Sequence, residues 1–222
     1  RGANALIHLA APLDESDIYK HLADQIVEEK SITWDREAQA VKAVKTDKLG
    51  AIVLREGPLS GPDPEEVLAA LIAGIAREGL AILPWTRAAV QLRRRIMMLH
   101  WLDAAWPDLA DETLVSALAG WLGPHIWGMS RRQDLEKLNL AAIIENMLDW
   151  DQRRRLDDLA PTHITVPSGQ RIPIDYSDPA APILAVRLQE LFGMRDTPLI
   201  AAGRVAVTVH LLSPARRPVQ VT

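Results

Sequence analysis

The chain has 222 residues, 48% of them hydrophobic and 24% charged, an ordinary globular balance that excludes disorder, collagen and coiled coil as readings of the whole. With no cysteine, a disulfide framework, a CxxC zinc site and a thiol nucleophile are excluded, so stability rests on packing. Lys and Arg number 25 against 29 Asp and Glu, and the net charge of −4 excludes a surface basic throughout while allowing a local basic patch.

Taken in chain order, Leu6-Ile7-His8-Leu9 reads as the end of a strand. Asp14 and Ser16 then offer N-caps to a helix whose Ile18, Leu22 and Ile26 share a face. Short strands follow around 31–34, 38–44 and 49–55. This first zone has too little apolar surface to stand alone and reads as the trailing part of a small β-domain over 1–58. No methionine precedes Met97, so the natural start is expected upstream, and the compartment stays open with cytoplasm as the default.

The breaker run Gly57-Pro58-Leu59-Ser60-Gly61-Pro62-Asp63-Pro64 marks the boundary to a second domain over 59–222. Helical spacing follows at once, with Val67, Leu68, Leu71, Ile72 and Ile75 on one stripe and Trp85, Ala89, Leu92, Ile96 and Leu99 on the next, an expected αα pair. Further helices are expected at 112–122, through Leu114, Leu118 and Trp121, and at 140–150, through Ile143, Ile144 and Met147. The helical half thus covers 64–159. The longest stretch without Asp, Glu, Lys or Arg, 113–130, holds three glycines and a proline and falls short of the ~20 apolar residues of a membrane span.

From Pro161 the period changes to two, giving a β-rich part over 161–222 and an α+β chain as a whole. Aligning Ile164/Val166 with Ile172/Ile174/Tyr176 predicts that Val166 pairs with Ile172 and that His163 faces Asp175. A short helix is expected at 183–192. A second hairpin is expected to pair Leu211 with Val219 and to place Arg204, His210 and Gln220 on one polar face.

Asp14-Glu15-Ser16-Asp17 spells a helicase-like acidic box, yet Pro12 precedes it and a helix follows, so it reads as a helix start. No G-x-x-x-x-G-K-[ST] occurs, and this chain alone is not expected to hydrolyse NTP. The six histidines lack metal-ligand spacing, and no metal site is expected. His163, Asp175 and Ser168 are the members of an imaginable triad, without a nucleophile elbow to support it. Arg93-Arg94-Arg95 reads as a solvated helix face opposite Leu92, Ile96 and Leu99, and Arg153-Arg154-Arg155 as a set paired with Asp157 and Asp158. Trp85, Trp121 and Trp150 read as core before stacking platforms. The stronger candidates for gripping phosphates are Arg171, Arg204, His210, Arg216 and Arg217 on the hairpins, since guanidinium groups hold phosphate bidentately without reading bases. Arg supplies 19 of the 25 basic residues, a bias that suits phosphate recognition.

The stretch Arg154-Arg155-Leu156-Asp157-Asp158-Leu159-Ala160-Pro161-Thr162-His163, with Val166-Pro167-Ser168-Gly169, Ile174-Asp175-Tyr176, Leu188-Gln189-Glu190-Leu191-Phe192-Gly193, Gly203-Arg204 and His210-Leu211-Leu212-Ser213-Pro214-Ala215-Arg216-Arg217-Pro218-Val219-Gln220-Val221-Thr222, resembles the C-terminal region of the bacterial HrpB-type ATP-dependent helicases of the DEAH family. Weaker similarity runs forward through Trp106-Pro107-Asp108-Leu109 and Leu83-Pro84-Trp85 to Leu9-Ala10-Ala11-Pro12-Leu13.

The resemblance implies that 1–58 is the back of an oligonucleotide-binding-like domain and 59–222 the family's C-terminal domain. The family continues past Thr222 into an aromatic and basic stretch. ATP and magnesium are implied only for an ATPase core outside this chain, so no catalytic residue is assigned. The expected function is a non-catalytic accessory region contacting single-stranded nucleic acid, with RNA the favoured class, or the helicase core of the same polypeptide, without a membrane partner. The alternative is a protein-interaction or structural module that has no affinity for nucleic acid.

Overall fold

In a computed structural model, which describes residues 14–213 and 218–221, the chain is α+β and divides into two compact units, Arg1–Gly74 and Ile75–Thr222. The expected strand at Leu6-Ile7-His8-Leu9 lies outside the described residues.

In the first unit α1 (Glu15–His21) stops before Leu22, and Ile26 opens a strand instead of extending the helix face. The strands β1 (Ile26–Asp35), β2 (Ala40–Leu49) and β3 (Ile52–Pro58) form an antiparallel sheet in that order. The β1–β2 turn is held by the Asp35 carboxylate, which accepts from Glu37 N at 2.9 Å and Ala38 N at 3.0 Å. Those two N–H groups, Ala38 foremost, hold the carboxyl below its ordinary range. Alternation along β1 leaves Trp34 buried, and its ring lies where a Cβ on Gly74 would collide with it. A glycine inside a helix costs about 1 kcal/mol; here it makes room for the indole.

The breaker run ends β3 and starts α2 (Pro64–Glu78), with proline at the first helical position and Asp63 accepting from Glu65 N at 2.9 Å. The boundary between the units falls inside this helix, between Gly74 and Ile75.

The second unit begins its core with α3 (Arg87–Leu102), capped by Thr86 and burying Ala89, Ile96, Met98 and Leu99. The expected helix at 112–122 is two pieces, α4 (Asp111–Ser116) and α5 (Leu118–Trp121). The Leu114 carbonyl, which an unbroken helix gives to the Leu118 N–H, accepts instead from the Trp121 indole at 2.8 Å. After α6 (Arg132–Leu135) comes α7 (Leu140–Glu145), and α8 (Trp150–Leu159) then starts afresh. The single helix expected at 140–150 is broken because Asp149 and Gln152 form a capping box, each side chain accepting from the other's backbone N–H. α3 packs on α7 and α8 over a core that includes Leu114, Leu118, Leu135, Leu140 and Ile144.

The β-rich part contains β4 (His163–Thr165), β5 (Arg171–Asp175), β6 (Ile183–Arg187), β7 (Leu199–Ile200), β8 (Val205–Ala206), β9 (Thr208–Leu212) and β10 (Pro218–Val221). Five of these form one sheet in the order β10-β9-β6-β5-β4, with β6 and β9 parallel; β7 and β8 pair separately. In the first hairpin Ile164 pairs with Ile172 and His163 with Pro173, two residues from the expected register. The cause is a three-residue loop in which Gly169 N donates to Val166 O at 2.8 Å, with Gly169 at φ +84. A two-residue slip keeps the isoleucines on one face but takes His163 away from Asp175, so the triad does not assemble.

The expected helix at 183–192 is a strand followed by a 3-10 turn at Leu188–Leu191. Leu184 and Val186 are buried alternately, and β6 gains ladder partners on both sides. The run from Val205 to Leu211 is likewise interrupted at Val207, whose N–H donates to Pro198 O at 2.9 Å. Leu211 pairs with Gln220, one residue from expectation, because β10 carries an irregularity between Pro218 and Gln220.

Candidate nucleic-acid interface

Alternation gives the five-stranded sheet two unlike faces. Leu184, Val186 and Ile174 point into the core. The other face is built in rows: Asp175 beside Ile183 and Thr208, then Ala185 beside His210, then Arg187 beside Leu212. The pleat puts Pro173 and Arg171 of β5 on this same face.

That face carries two neighbouring clefts of about 310 and 360 Å³, both lined by Pro173 and Ala185, which together are called the trough. One end is bordered by Arg87, Gln91 and Arg94 of α3, which recur every three to four residues and so project from one helix face. The other end is bordered by Gln170, Arg187 and Glu190. Between Ile183 and Arg187 the strand spans roughly 13 Å. Arg87, Arg171 and Arg187 have no ion-pair partner among the described residues, whereas Arg94 lies 3.6 Å from Asp175. Both members of that pair are about half exposed, so solvent screens it.

Of the five residues singled out from the sequence, two lie on this face of the sheet, one on each side of β6: Arg171, exposed at the start of β5, and His210, half-buried in β9; neither lines the clefts themselves. Arg204 sits in the β7–β8 turn, where its Nε donates to Ala201 O at 3.2 Å, and the polar face expected for Arg204, His210 and Gln220 does not form. The turn holds Ala201 and Ala202 at φ +53 and +55, conformations that L side chains adopt at a cost. Arg216 and Arg217 lie outside the described residues.

Arg87, Arg94 and Arg187 escaped the sequence reading. Arg187 was hidden by taking 183–192 as a helix, although Ile183, Ala185 and Arg187 already alternate with Leu184 and Val186. Arg94 was hidden inside a triplet read as uniformly solvated, and the structure corrects that reading. Arg93 donates through Nε to Leu109 O at 2.7 Å, pairs with Asp111 at 2.6 Å and lies 5.2 Å from the Trp85 ring centre. Arg95 is buried and donates to the carbonyls of Ala160 and Leu156 and to Asp157, capping the end of α8.

The second triplet also departs from expectation. Arg154 and Arg155 pair with Asp151 at 3.3 Å, and Arg153 donates to Glu145 O and Asn146 Oδ1, so none pairs with Asp157 or Asp158 among the described residues. Trp150 is 73% exposed, where core was expected, while Trp121 is buried.

The chain has no phosphate loop, and among the described residues no three His, Asp or Glu side chains converge. Nor is any described helix long and apolar enough to cross a membrane. Tyr176, buried under the sheet, donates to Pro161 O at 2.6 Å, and burial pushes its hydroxyl pKa upward. It is a structural phenol, not an acid or base for the trough.

Residues 121–222 match the family described as ATP-dependent helicase C-terminal, and residues 25–59 the connector region of the ATP-dependent RNA helicase HrpB. The chain is 38% identical to the ATP-dependent RNA helicase HrpB of Escherichia coli K12 over 99% of its own length and 27% of the relative's. Its fold superposes on a crystal structure of the E. coli DExH-box NTPase HrpB with a TM-score of 0.71 at 37% identity, covering 95% of this chain and 26% of that one. A second crystal structure, of the E. coli DEAH/RHA helicase HrpB, gives 0.67 at 38%, covering 89% and 25%. The chain thus spans about a quarter of the length of the relatives it matches.

Proposed function

With the chain belonging to the HrpB-type ATP-dependent helicases as their connector and C-terminal regions, we propose that it is a non-catalytic guide that holds single-stranded nucleic acid by its backbone along the trough. The observation that carries this reading is that Arg87 and Arg187, which have no ion-pair partner among the described residues, border the two ends of a trough lined in common by the small Pro173 and Ala185. The one aromatic side chain in its lining, Tyr176, is buried and held by its hydrogen bond to Pro161 O, so the grip falls on phosphates and carries no sequence information. RNA is the favoured class, since the relative is named an RNA helicase.

In this reading ATP hydrolysis belongs to a helicase core in the same polypeptide, because these 222 residues hold no phosphate loop. The region serves by keeping the strand in line with that core, with the cytoplasm as the default setting. Fluorescence anisotropy of the 222-residue chain with labelled single-stranded RNA and DNA tests the reading. Binding at low salt that is lost in the double variant Arg87→Glu/Arg187→Glu supports it. Binding that survives both charge reversals overturns it.

A second reading, docking of a protein without nucleic-acid affinity, is favoured by the 3-10 turn after β6, which leaves Leu188 and Phe192 largely exposed. Absence of binding to either strand at low salt is the outcome that selects it.

A further inference from the structure

Trp150 is the most exposed large apolar side chain among the described residues, at 73%. It occupies the first position of α8, which is fixed twice. The capping box of Asp149 and Gln152 sets the helix start, and Gln152 Nε2 also donates to Ala105 O at 2.9 Å. The indole is therefore carried on an anchored backbone. One helical turn on, the Arg154 guanidinium lies 4.8 Å from the ring centre, over one face, and Asp151 steadies it at 3.3 Å. At this exposure the opposite face is open to solvent.

The surroundings decide what such a face fits. Asp151, Arg154, Arg155 and Asp158 share the exposed surface of α8, so on this helix the indole is a single flat aromatic among charged side chains. A planar π-system backed by a delocalised cation matches an unstacked nucleobase. Asp149 and Asp151 nearly offset Arg153, Arg154 and Arg155, so attraction for phosphate is weak here and stacking supplies the interaction.

We propose that Trp150 and Arg154 form a base-stacking platform for one unpaired base of a single-stranded nucleic acid, distinct from the trough. The proposal rests on the nucleic-acid reading above and adds a contact to bases where that reading has contacts to phosphates only.

The test uses the 222-residue chain with two labelled oligonucleotides of equal length, a single-stranded RNA and its abasic ribose-phosphate counterpart. Trp150→Ala is expected to weaken binding of the base-bearing strand about tenfold, the order of one base stack. The loss is expected to be nearly independent of salt, to be largely restored in Trp150→Phe, and to be absent for the abasic strand. Circular dichroism of both variants checks that α8 is intact. Unchanged affinity of Trp150→Ala for the base-bearing strand overturns the platform and leaves the trough standing. Abasic binding that is absent, beside base-bearing binding that Trp150→Ala removes, overturns the trough and leaves the platform. No binding of either strand at low salt overturns both.

Discussion

The chain contains two arginine triplets, Arg93-Arg94-Arg95 on α3 and Arg153-Arg154-Arg155 on α8, which are alike in sequence and put to different uses. The first is consumed by the fold: its members reach the loop before α4, the end of β5 and the C-terminus of α8. The second lies on a single short helix, and among the described residues its hydrogen bonds and ion pairs reach Asp151 on that helix and Glu145 and Asn146 shortly before it in sequence. The difference lies in what surrounds each helix. α3 is packed by α7 and α8 and has long-range acceptors at hand, whereas α8 turns its arginine face to water. An arginine run therefore reports a surface only where the helix that carries it has one.

The largest expected effect on that contrast is at Arg95. Its guanidinium is buried and Asp157 is mostly exposed, so the ion pair itself is screened, but the carbonyls of Leu156 and Ala160 lose their donor. Arg95→Ala is expected to destabilise the chain by about 2–3 kcal/mol in urea unfolding, against less than about 0.5 kcal/mol for Arg155→Ala. Equal effects would erase the distinction between the triplets.

Arg93→Ala comes next, at about 1–1.5 kcal/mol, since it removes hydrogen bonds to Leu109 O and Asp111 and the contact with Trp85. Arg94→Ala is expected to fall within about 0.5 kcal/mol, its pair with Asp175 being half exposed. It is the one member of the first triplet whose removal is expected to weaken RNA binding more than stability, as anisotropy beside urea unfolding would show.

The smallest effect is on pH. Asp108, in the segment that Arg93 clasps, accepts from Thr113 Oγ1 and Ala110 N, and these hydrogen bonds hold its carboxyl below its ordinary 3.8. A group depressed on folding contributes stability above its unfolded pKa and loses it as pH falls through the folded one. Thermal unfolding of Asp108→Asn is therefore expected to change less steeply below about pH 4 than that of the parent chain.

Much of the frame was legible from spacing. The breaker run, α2, α3 and the change of period at Pro161 were readable because long periodic segments and proline-glycine clusters are strong local signals. So was the pairing of like faces in the first hairpin, although the exact register depended on the three-residue loop. Two signals were present and outweighed. Asp149-x-x-Gln152 is a capping box that ends the helix expected at 140–150 and moves Trp150 to the surface. Arg95 lies three residues after Leu92 and four before Leu99, a spacing that sets it at the edge of the apolar stripe and not opposite it.

What local sequence does not carry is long-range pairing. Nothing in Ile183-Leu184-Ala185-Val186 says that β9 will lie parallel beside it, so a short apolar run passed for a helix. The trough shares this origin: Arg87 on α3 and Arg187 on β6 are far apart in sequence and come to border one trough only once the sheet has assembled.

The salt dependence of single-stranded RNA binding tests the central claim most directly. If Arg87 and Arg187 each neutralise one phosphate, Arg87→Ala/Arg187→Ala lowers the magnitude of the slope of log K against log salt by about 1.4, at about 0.7 per phosphate on a single strand. An unchanged slope would contradict the trough as the path of the strand.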